Sequence, residues 1–335
     1  MKLASLLLLI FASLCTASEK PNILFLFADD HAFSALGHVS GEVETPHLDR
    51  LAAEGTSFTR AYNSGAWGGA VCVASRAMLM TGRQLWFAEA EQKQTKKLYE
   101  ETGKSWPQLM AGAGYETYMT GKWHVKMSAE KIFGTARNVR PGMPKTVKES
   151  YLRPVEGEKD QWDPADKSIG GFWQGGKHWS EVEADTAVEY LGTAKDSAKP
   201  FFMYIAFNAP HDPRQAPQDY LDMYPVDKMP LPENYAAEYP YRDPMGAPHS
   251  LRDEKLAPMP RTEFAVKTHR SEYCAIITHM DAQIGRVLKA LDESGKSDNT
   301  YVVFSADHGL GVGRHGLFGK QNMYDHSVRV PWIVR

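Results

Sequence analysis

The chain has 335 residues, of which 43% are hydrophobic and 24% charged, with a net charge of −3. That length allows one large or two medium globular domains. The near-neutral balance gives no electrostatic reason to expect nucleic acid or an acidic membrane as a partner.

The first residues stand apart from the fold. Lys2 is followed by an apolar run from Leu6 to Leu14 and then by Cys15-Thr16-Ala17. A charged start, a short apolar core and small residues make a secretory signal peptide over 1–17, with cleavage expected after Ala17. The run is too short for a comfortable membrane span, and no later stretch reaches that length. Leu14 is too bulky a neighbour to make Cys15 a lipid anchor. The expected protein is therefore exported, to a periplasmic, secreted or lysosome-like compartment. It keeps only Cys72 and Cys274, too few for a disulfide framework.

Four apolar runs read as buried strands: Asn22 to Ala28, Tyr115 to Thr120, Phe201 to Phe207 and Tyr301 to Ala306. Helical patterns lie between them. Leu48 to Glu54 is one, and Trp106 to Ala113 is another. Ser180-Glu181-Val182-Glu183 reads as a capping box opening a helix through Leu191. Glu272 to Leu291 is the longest, with Cys274 as a packing residue. Strands alternating with helices imply an α/β fold with a mainly parallel central sheet and helices on both faces. Residues 126–178 and 212–262 lack this order. Long irregular insertions of that kind carry function or cover a site. The last residues, Val330-Pro331-Trp332-Ile333-Val334-Arg335, read as a strand being entered, so the chain is expected to be a truncated catalytic domain, 18–335.

Cys72-Val73-Ala74-Ser75-Arg76, closed by Thr81-Gly82-Arg83, is the most specific string. Ser75 is a candidate cap and Gly82 a candidate stop for a helix. A cysteine at such an N-terminus faces the positive end of the helix dipole. Free backbone N–H groups there favour an anion, and Arg76 adds a fork for a tetrahedral oxyanion. Taken alone, Cys72 reads as a small buried hydrophobe. A cysteine protease needs a histidine partner and its own local signature, which the neighbourhood does not match.

Two strand ends carry acids: Asp29-Asp30-His31 after the first, and Asp307-His308-Gly309 after the last. Ligands bind beyond the carboxyl ends of parallel strands. Three carboxylates brought together there repel, and a hard divalent cation with about six to eight oxygen ligands resolves the repulsion. Either pair alone would read as turn or capping acids.

Together these residues resemble the type I sulfatases, whose signature is Cys-x-Pro-Ser-Arg followed by Thr-Gly-Arg; Ala74 replaces the proline, a form some members accept. The resemblance covers about residues 21–335, is strongest over 22–124 and 300–335, and is weak over 126–178. It implies an alkaline-phosphatase-like fold and conversion of Cys72 to formylglycine by a maturation enzyme, with a hydrate that attacks sulfate esters. It implies a calcium ion held by Asp29, Asp30, Cys72, Asp307 and His308. His308 stands where asparagine is commoner, and the Asp-His pair fits the iduronate-2-sulfatase-like branch. Imidazole is softer than calcium prefers, so magnesium or manganese stays open, as does a substrate contact for His308.

The same resemblance gives the remaining roles. Gly121-Lys122-Trp123-His124 would place Lys122 on sulfate and His124 on the formylglycine oxygen. Ala209-Pro210-His211-Asp212-Pro213 would place His211 near the leaving oxygen, and Gly319-Lys320 would place Lys320 on sulfate. Without the family each is a loop or surface residue. Asp307 would be the base for attack, Arg76, Lys122 and Lys320 would neutralise the sulfate oxygens, and His211 or Lys320 would protonate the leaving alcohol. The implied activity is sulfuric ester hydrolysis, with a sulfated carbohydrate as substrate. The alternatives are a phosphate or phosphonate monoester hydrolase on the same scaffold, and a non-catalytic binder of sulfated glycans. Choline sulfate lacks a clear aromatic cage. Substrate contacts are expected from 85–105, 126–178 and 212–262, where Trp173, His178 and Trp179 otherwise read as loop packing.

Overall fold

The computed structural model describes residues 20–173, 175–245 and 251–335, so the signal-peptide reading of 1–17, with Cys15, lies outside the described residues. Seven strands form one sheet: β1 (Asn22–Ala28), β2 (Thr56–Ser57), β3 (Glu116–Lys122), β4 (Thr135–Arg140), β5 (Phe201–Ala206), β6 (Thr300–Ala306) and β7 (Trp332–Val334). Their order is β2-β7-β6-β1-β5-β3-β4. The five strands from β6 to β4 run parallel, while β7 pairs antiparallel with β6 and β2. The expected α/β architecture is what the sequence folds into.

Alternation along the central strands explains why both faces are covered. Leu24, Leu26 and Ala28 of β1, with Phe201, Met203 and Ile205 of β5, point into one apolar layer. Phe25 and Phe27, with Phe202, Tyr204 and Ala206, point into the other. A strand apolar at every position can be buried only between two layers. Among the helices, α1 (Pro46–Glu54), α2 (Val71–Thr81), α3 (Trp106–Gly112), α4 (Trp179–Ala194) and α5 (Glu263–Glu293) matter most. Leu48 of α1, Tyr190 of α4 and Ile277 of α5 close the first layer. Met80 of α2 belongs to the second, with Trp106 of α3 packed against it. No described helix is long and apolar enough to cross a membrane.

Several boundaries differ from the sequence expectations. Helix α2 begins at Val71 with Ala70 as its N-cap, so Ser75 lies inside it and is not the cap. Gly82 does end it, in the left-handed conformation. At α4 the cap is His178, whose Nδ1 accepts from the Ser180 N–H at 3.2 Å. Glu183 does not close a capping box; it is fully buried with neither carboxylate oxygen bonded. Helix α5 starts nine residues earlier than expected, at Glu263, because Thr262 caps it through the Ala265 N–H. Strand β4 lies in the stretch read as irregular; its six residues carry three charged or amide side chains and no apolar run.

His31 sits in the β1–α1 connection, fully buried and edge-on to Phe304, with Nδ1 donating to the Ala32 carbonyl at 3.1 Å. Burial pushes its imidazole down from the usual 6.5 to about 4. The unfolded chain therefore takes up this proton first as pH falls. The stability that neutral His31 contributes is fully present above about pH 6.5 and is lost as pH falls towards 4. Denaturant unfolding should show a loss of about 2 kcal/mol from this group between pH 7 and 5. His31→Asn keeps a donor for Ala32 and removes the titration, so its pH slope should be shallower. An identical slope would exclude His31 as a source of acid sensitivity.

Candidate active site

Four neighbouring strands deliver their chemistry to one end of the sheet. Asp29 and Asp30 follow β1 directly, Asp307 and His308 follow β6, Lys122 is the last residue of β3, and His211 lies in the loop beyond β5. Because β6, β1, β5 and β3 are adjacent, residues far apart in sequence meet there. Two local devices aim them. Gly121 has φ +93° at a register shift between β3 and β4, and a Cβ there would collide with the Ala206 carbonyl of β5. Asp30 takes φ +71° and His124 φ +52°, conformations a non-glycine residue holds only when its surroundings demand it.

Helix α2 points its first turn at this end, and Cys72 lies in that turn, 3% exposed. Its Sγ is 3.2 Å from His124 Nδ1. One turn on, Arg76 is fully buried. Its Nε donates to Asp307 at 3.0 Å, and its Nη1 donates to the Lys122 carbonyl at 2.9 Å and the Tyr204 hydroxyl at 3.3 Å. Its Nη2 has no hydrogen-bond partner.

Three buried carboxylates and three buried cations interleave. Lys122 donates to Asp29. Lys320 reaches both oxygens of Asp30 at 2.8 Å. Arg76 holds Asp307. Sequence reasoning placed all three cations on sulfate; here each is found on an acid. A buried charge left alone is costly, so opposite charges pair. These cations also answer part of the repulsion that the sequence argument assigned wholly to a metal.

The pairing is incomplete. Burial drives the Asp30 carboxyl well above its ordinary range; Lys320 opposes this, and the like charges of Asp29 and Asp307 add to it. Burial also works against ionised Asp307, but His308, Arg76 and Lys122 hold it well below the usual range. Asp29 Oδ1 and His308 Nε2 are buried with no hydrogen-bond partner. Asp29, Cys72, Asp307 and His308 offer ligand atoms within 4.8 Å of one another. Asp30 is not in that group; it joins Asp29 and His211 in a second, and its Oδ1 lies 3.1 Å from His308 Nε2. Orphaned acceptors, carboxylates and an imidazole at this spacing fit a divalent cation.

The remaining predicted residues are placed as follows. Burial and then Lys122 push His124 down to about 4. His211 is held well below its ordinary value by burial and by Lys320, whose Nζ is 3.3 Å from Nε2. His211 Nδ1 donates to the Asp212 carbonyl at 2.7 Å, which leaves Nε2 as the acceptor. A cavity of about 340 Å³ opens over Cys72, His124, His211 and Lys320. Met143, Leu251, Arg252 and Asp253 complete its wall, so segments 126–178 and 212–262 reach it. No residue of 85–105 lines it, a correction to the expected substrate contacts. Trp173 and Trp179 pack edge to face at 4.7 Å, as the loop-packing reading expected.

Sequence reasoning missed several contributors. Tyr204 is one of the alternating apolar positions of β5 and gave no polar signal. Asn63 donates to the Asp307 carbonyl at 2.6 Å. Arg252 grips both oxygens of Asp212 from an irregular loop, and Asp253 lies 3.9 Å from Lys320. Only tertiary placement reveals these two.

Comparison with known proteins supplies the wider frame. The sulfatase family matches residues 21–335. An arylsulfatase of Clostridium perfringens is 30% identical over 94% of this chain and 68% of its own length. An N-acetylglucosamine-6-O-sulfatase of Bacteroides thetaiotaomicron is 27% identical over 99% of this chain and 67% of its own. Among solved structures, a putative sulfatase yidJ from Bacteroides fragilis superposes with a TM-score of 0.66 at 25% identity, covering 94% of this chain and 68% of that one. The fold is thus the alkaline-phosphatase-like one that the resemblance implied.

Proposed function

This chain belongs to the sulfatase family and is a sulfatase, and from that premise we propose that it is an exported enzyme removing sulfate from a sulfated carbohydrate, with Cys72 matured to formylglycine. The observation that carries the reading is the meeting of Cys72 with His124, three carboxylates and three buried cations at the end of one parallel sheet. The N-acetylglucosamine-6-O-sulfatase relative supports a sugar substrate. The Asp307-His308 pair supports the iduronate-2-sulfatase-like branch, the leader sequence supports export, and residues 18–335 are read as the catalytic domain.

Asp29, Asp30, Cys72, Asp307 and His308 would hold one divalent cation, calcium first. Bound there, the cation supplies positive charge to a sulfate oxygen and to the nucleophile, which the formylglycine provides as a hydrate hydroxyl. The chain's own residues do the rest. Asp307, kept ionised, can accept the proton of the attacking hydroxyl. Arg76, Lys122 and Lys320 neutralise the sulfuryl oxygens as charge builds on them. His124, neutral at pH 7 and beside residue 72, accepts the proton of the second hydroxyl when sulfate departs. The Lys320–His211 pair faces the leaving alcohol and protonates it.

His211→Ala should therefore slow a sugar sulfate by about 10²-fold or more, the usual range for a lost general acid. A nitrophenyl sulfate, whose phenolate needs little protonation, should lose only a few-fold. Equal losses on both would take His211 out of proton transfer and leave Lys320 alone in it. Relative rates on aryl sulfate and aryl phosphate test the reading as a whole: a preference for phosphate would establish the monoester-hydrolase alternative.

A further inference from the structure

Beyond the cavity over Cys72 lie two more. One, of about 370 Å³, shares Lys320 and Gln321 with it and is bordered by Met323. The next, of about 490 Å³, also touches Met323 and is walled by Phe33, Arg314, His315, Tyr324, His326 and Arg329. Met323 is 74% exposed and forms a low divide between them. The three therefore adjoin in a row that leads away from the nucleophile.

The outermost cavity holds cationic and aromatic groups whose partners are missing. Arg314 lines it, half-buried, and its guanidinium makes no hydrogen bond or ion pair with any described residue. Glu42, whose charge reaches it, is engaged by Arg270. His326 is 6% exposed, and its Nε2 has no partner. Arg329 is already committed: its Nε donates to the Thr59 carbonyl at 2.9 Å, Asp325 lies at 3.4 Å, and the group covers the Phe33 ring at 4.0 Å. Asp325 is thus the one acid on the wall, and it is neutralised locally. Beside Arg314 the Tyr324 ring stacks on His315 at 4.2 Å and 21°, and on His326 at 5.6 Å and 23°. The Tyr324 hydroxyl is fixed 3.0 Å from that of Tyr239.

Flat rings held rigid beside an uncommitted guanidinium match a sugar that carries an acid group. The C–H face of the sugar packs on an aromatic ring, and the planar fork takes a sulfate or carboxylate in two bonds. Nothing in the reaction at Cys72 uses these residues. We propose that this cavity is a distal saccharide subsite, binding an acidic sugar residue of the same chain whose sulfate ester lies at Cys72, so that the substrate is an oligosaccharide. This rests on the sulfated-carbohydrate reading above.

The test measures binding to the full chain carrying Cys72→Ala, so that esters stay intact, using disaccharides and hexasaccharides of heparin and of chondroitin 6-sulfate. For at least one of these glycans the hexasaccharide should bind about tenfold or more tighter than its disaccharide, as one charge-assisted Arg contact allows. Arg314→Gln and Tyr324→Ala should each remove that length advantage and leave disaccharide affinity unchanged, and Arg314→Lys should restore part of it. In the chain with Cys72 intact, neither Arg314→Gln nor Tyr324→Ala should alter hydrolysis of nitrophenyl sulfate. Carboxyl-reduced hexasaccharides identify the anion: an advantage that survives reduction assigns Arg314 to sulfate, and one that vanishes assigns it to carboxylate. No length advantage for either glycan, or an advantage that persists in both variants, overturns the subsite. Failure to hydrolyse any sulfate ester would instead overturn the proposed activity, while the binding comparison still reads the subsite.

Discussion

Cys72→Ala should abolish turnover, with a loss on the order of 10⁵–10⁶ in kcat, the scale on which removal of a covalent nucleophile acts. The chain should still fold. Cys72 is buried in the first turn of α2, and alanine is the better helix former. Its thiol contacts His124 and makes no bond that the backbone depends on. An unchanged melting temperature beside a lost rate therefore assigns the effect to chemistry. Peptide mass spectrometry of the wild-type chain, co-expressed with a maturation enzyme, should find an aldehyde or its hydrate in place of the thiol at position 72. A fully active enzyme with an unmodified thiol would refute the mechanism. Ala74 matters to this experiment because maturation must accept alanine where the family has proline. Ala74→Pro should therefore leave modification intact or raise it.

How far the sequence disclosed this molecule depends on the range of the interaction concerned. The four buried strands were legible because an unbroken apolar run of six or seven residues has few alternatives in a protein without membrane spans. Strand β1 matches to the residue, and the others to within two. The helix starts were less legible. At α2 the serine at position 75 suggested a cap, but the helix begins four residues earlier under Ala70, where no side chain caps it. At α4 the cap is a histidine, and Glu183 was assigned a capping role that its buried, unbonded carboxylate does not play. Local rules see which residues can cap, and packing decides which ones do.

The site residues were legible as types and positions but not as partners. Asp29-Asp30 and Asp307-His308 announce themselves at strand ends. That Lys122 would lie on Asp29, or Lys320 on Asp30, depends on the strand order β6-β1-β5-β3, which no local pattern encodes. Arg252 and Asp212 were invisible for the same reason: 40 residues separate them, both in loops. The correction has a functional side. In a chain where every buried acid has a cation, the fold does not need a metal to exist, and a metal becomes a separable part of function.

That separation makes the acids the second large effect. Asp307→Asn and Asp29→Asn should each lose the divalent ion and the activity with it, because each removes a charged oxygen from the only cluster of four candidate ligands among the described residues. Their effects on stability should differ. Asp29→Asn leaves Lys122 fully buried opposite a neutral amide. Breaking a buried pair from one side costs about 3–5 kcal/mol. Asp307→Asn leaves Arg76 with the Lys122 carbonyl, the Tyr204 hydroxyl and an amide oxygen in place of the carboxylate, so its cost should be smaller. Melting temperatures in chelator should therefore fall further for Asp29→Asn than for Asp307→Asn. Calcium should then raise the wild-type melting temperature, since a ligand at 100 times its Kd adds about 2.7 kcal/mol, and should move neither variant. Metal analysis of the wild type should find about one ion per chain, as a single cluster of this ligand number requires. A wild type indifferent to both calcium and chelator, in stability and in rate, would remove the metal from this site. The acids would then serve only to hold Arg76, Lys122 and Lys320 in place.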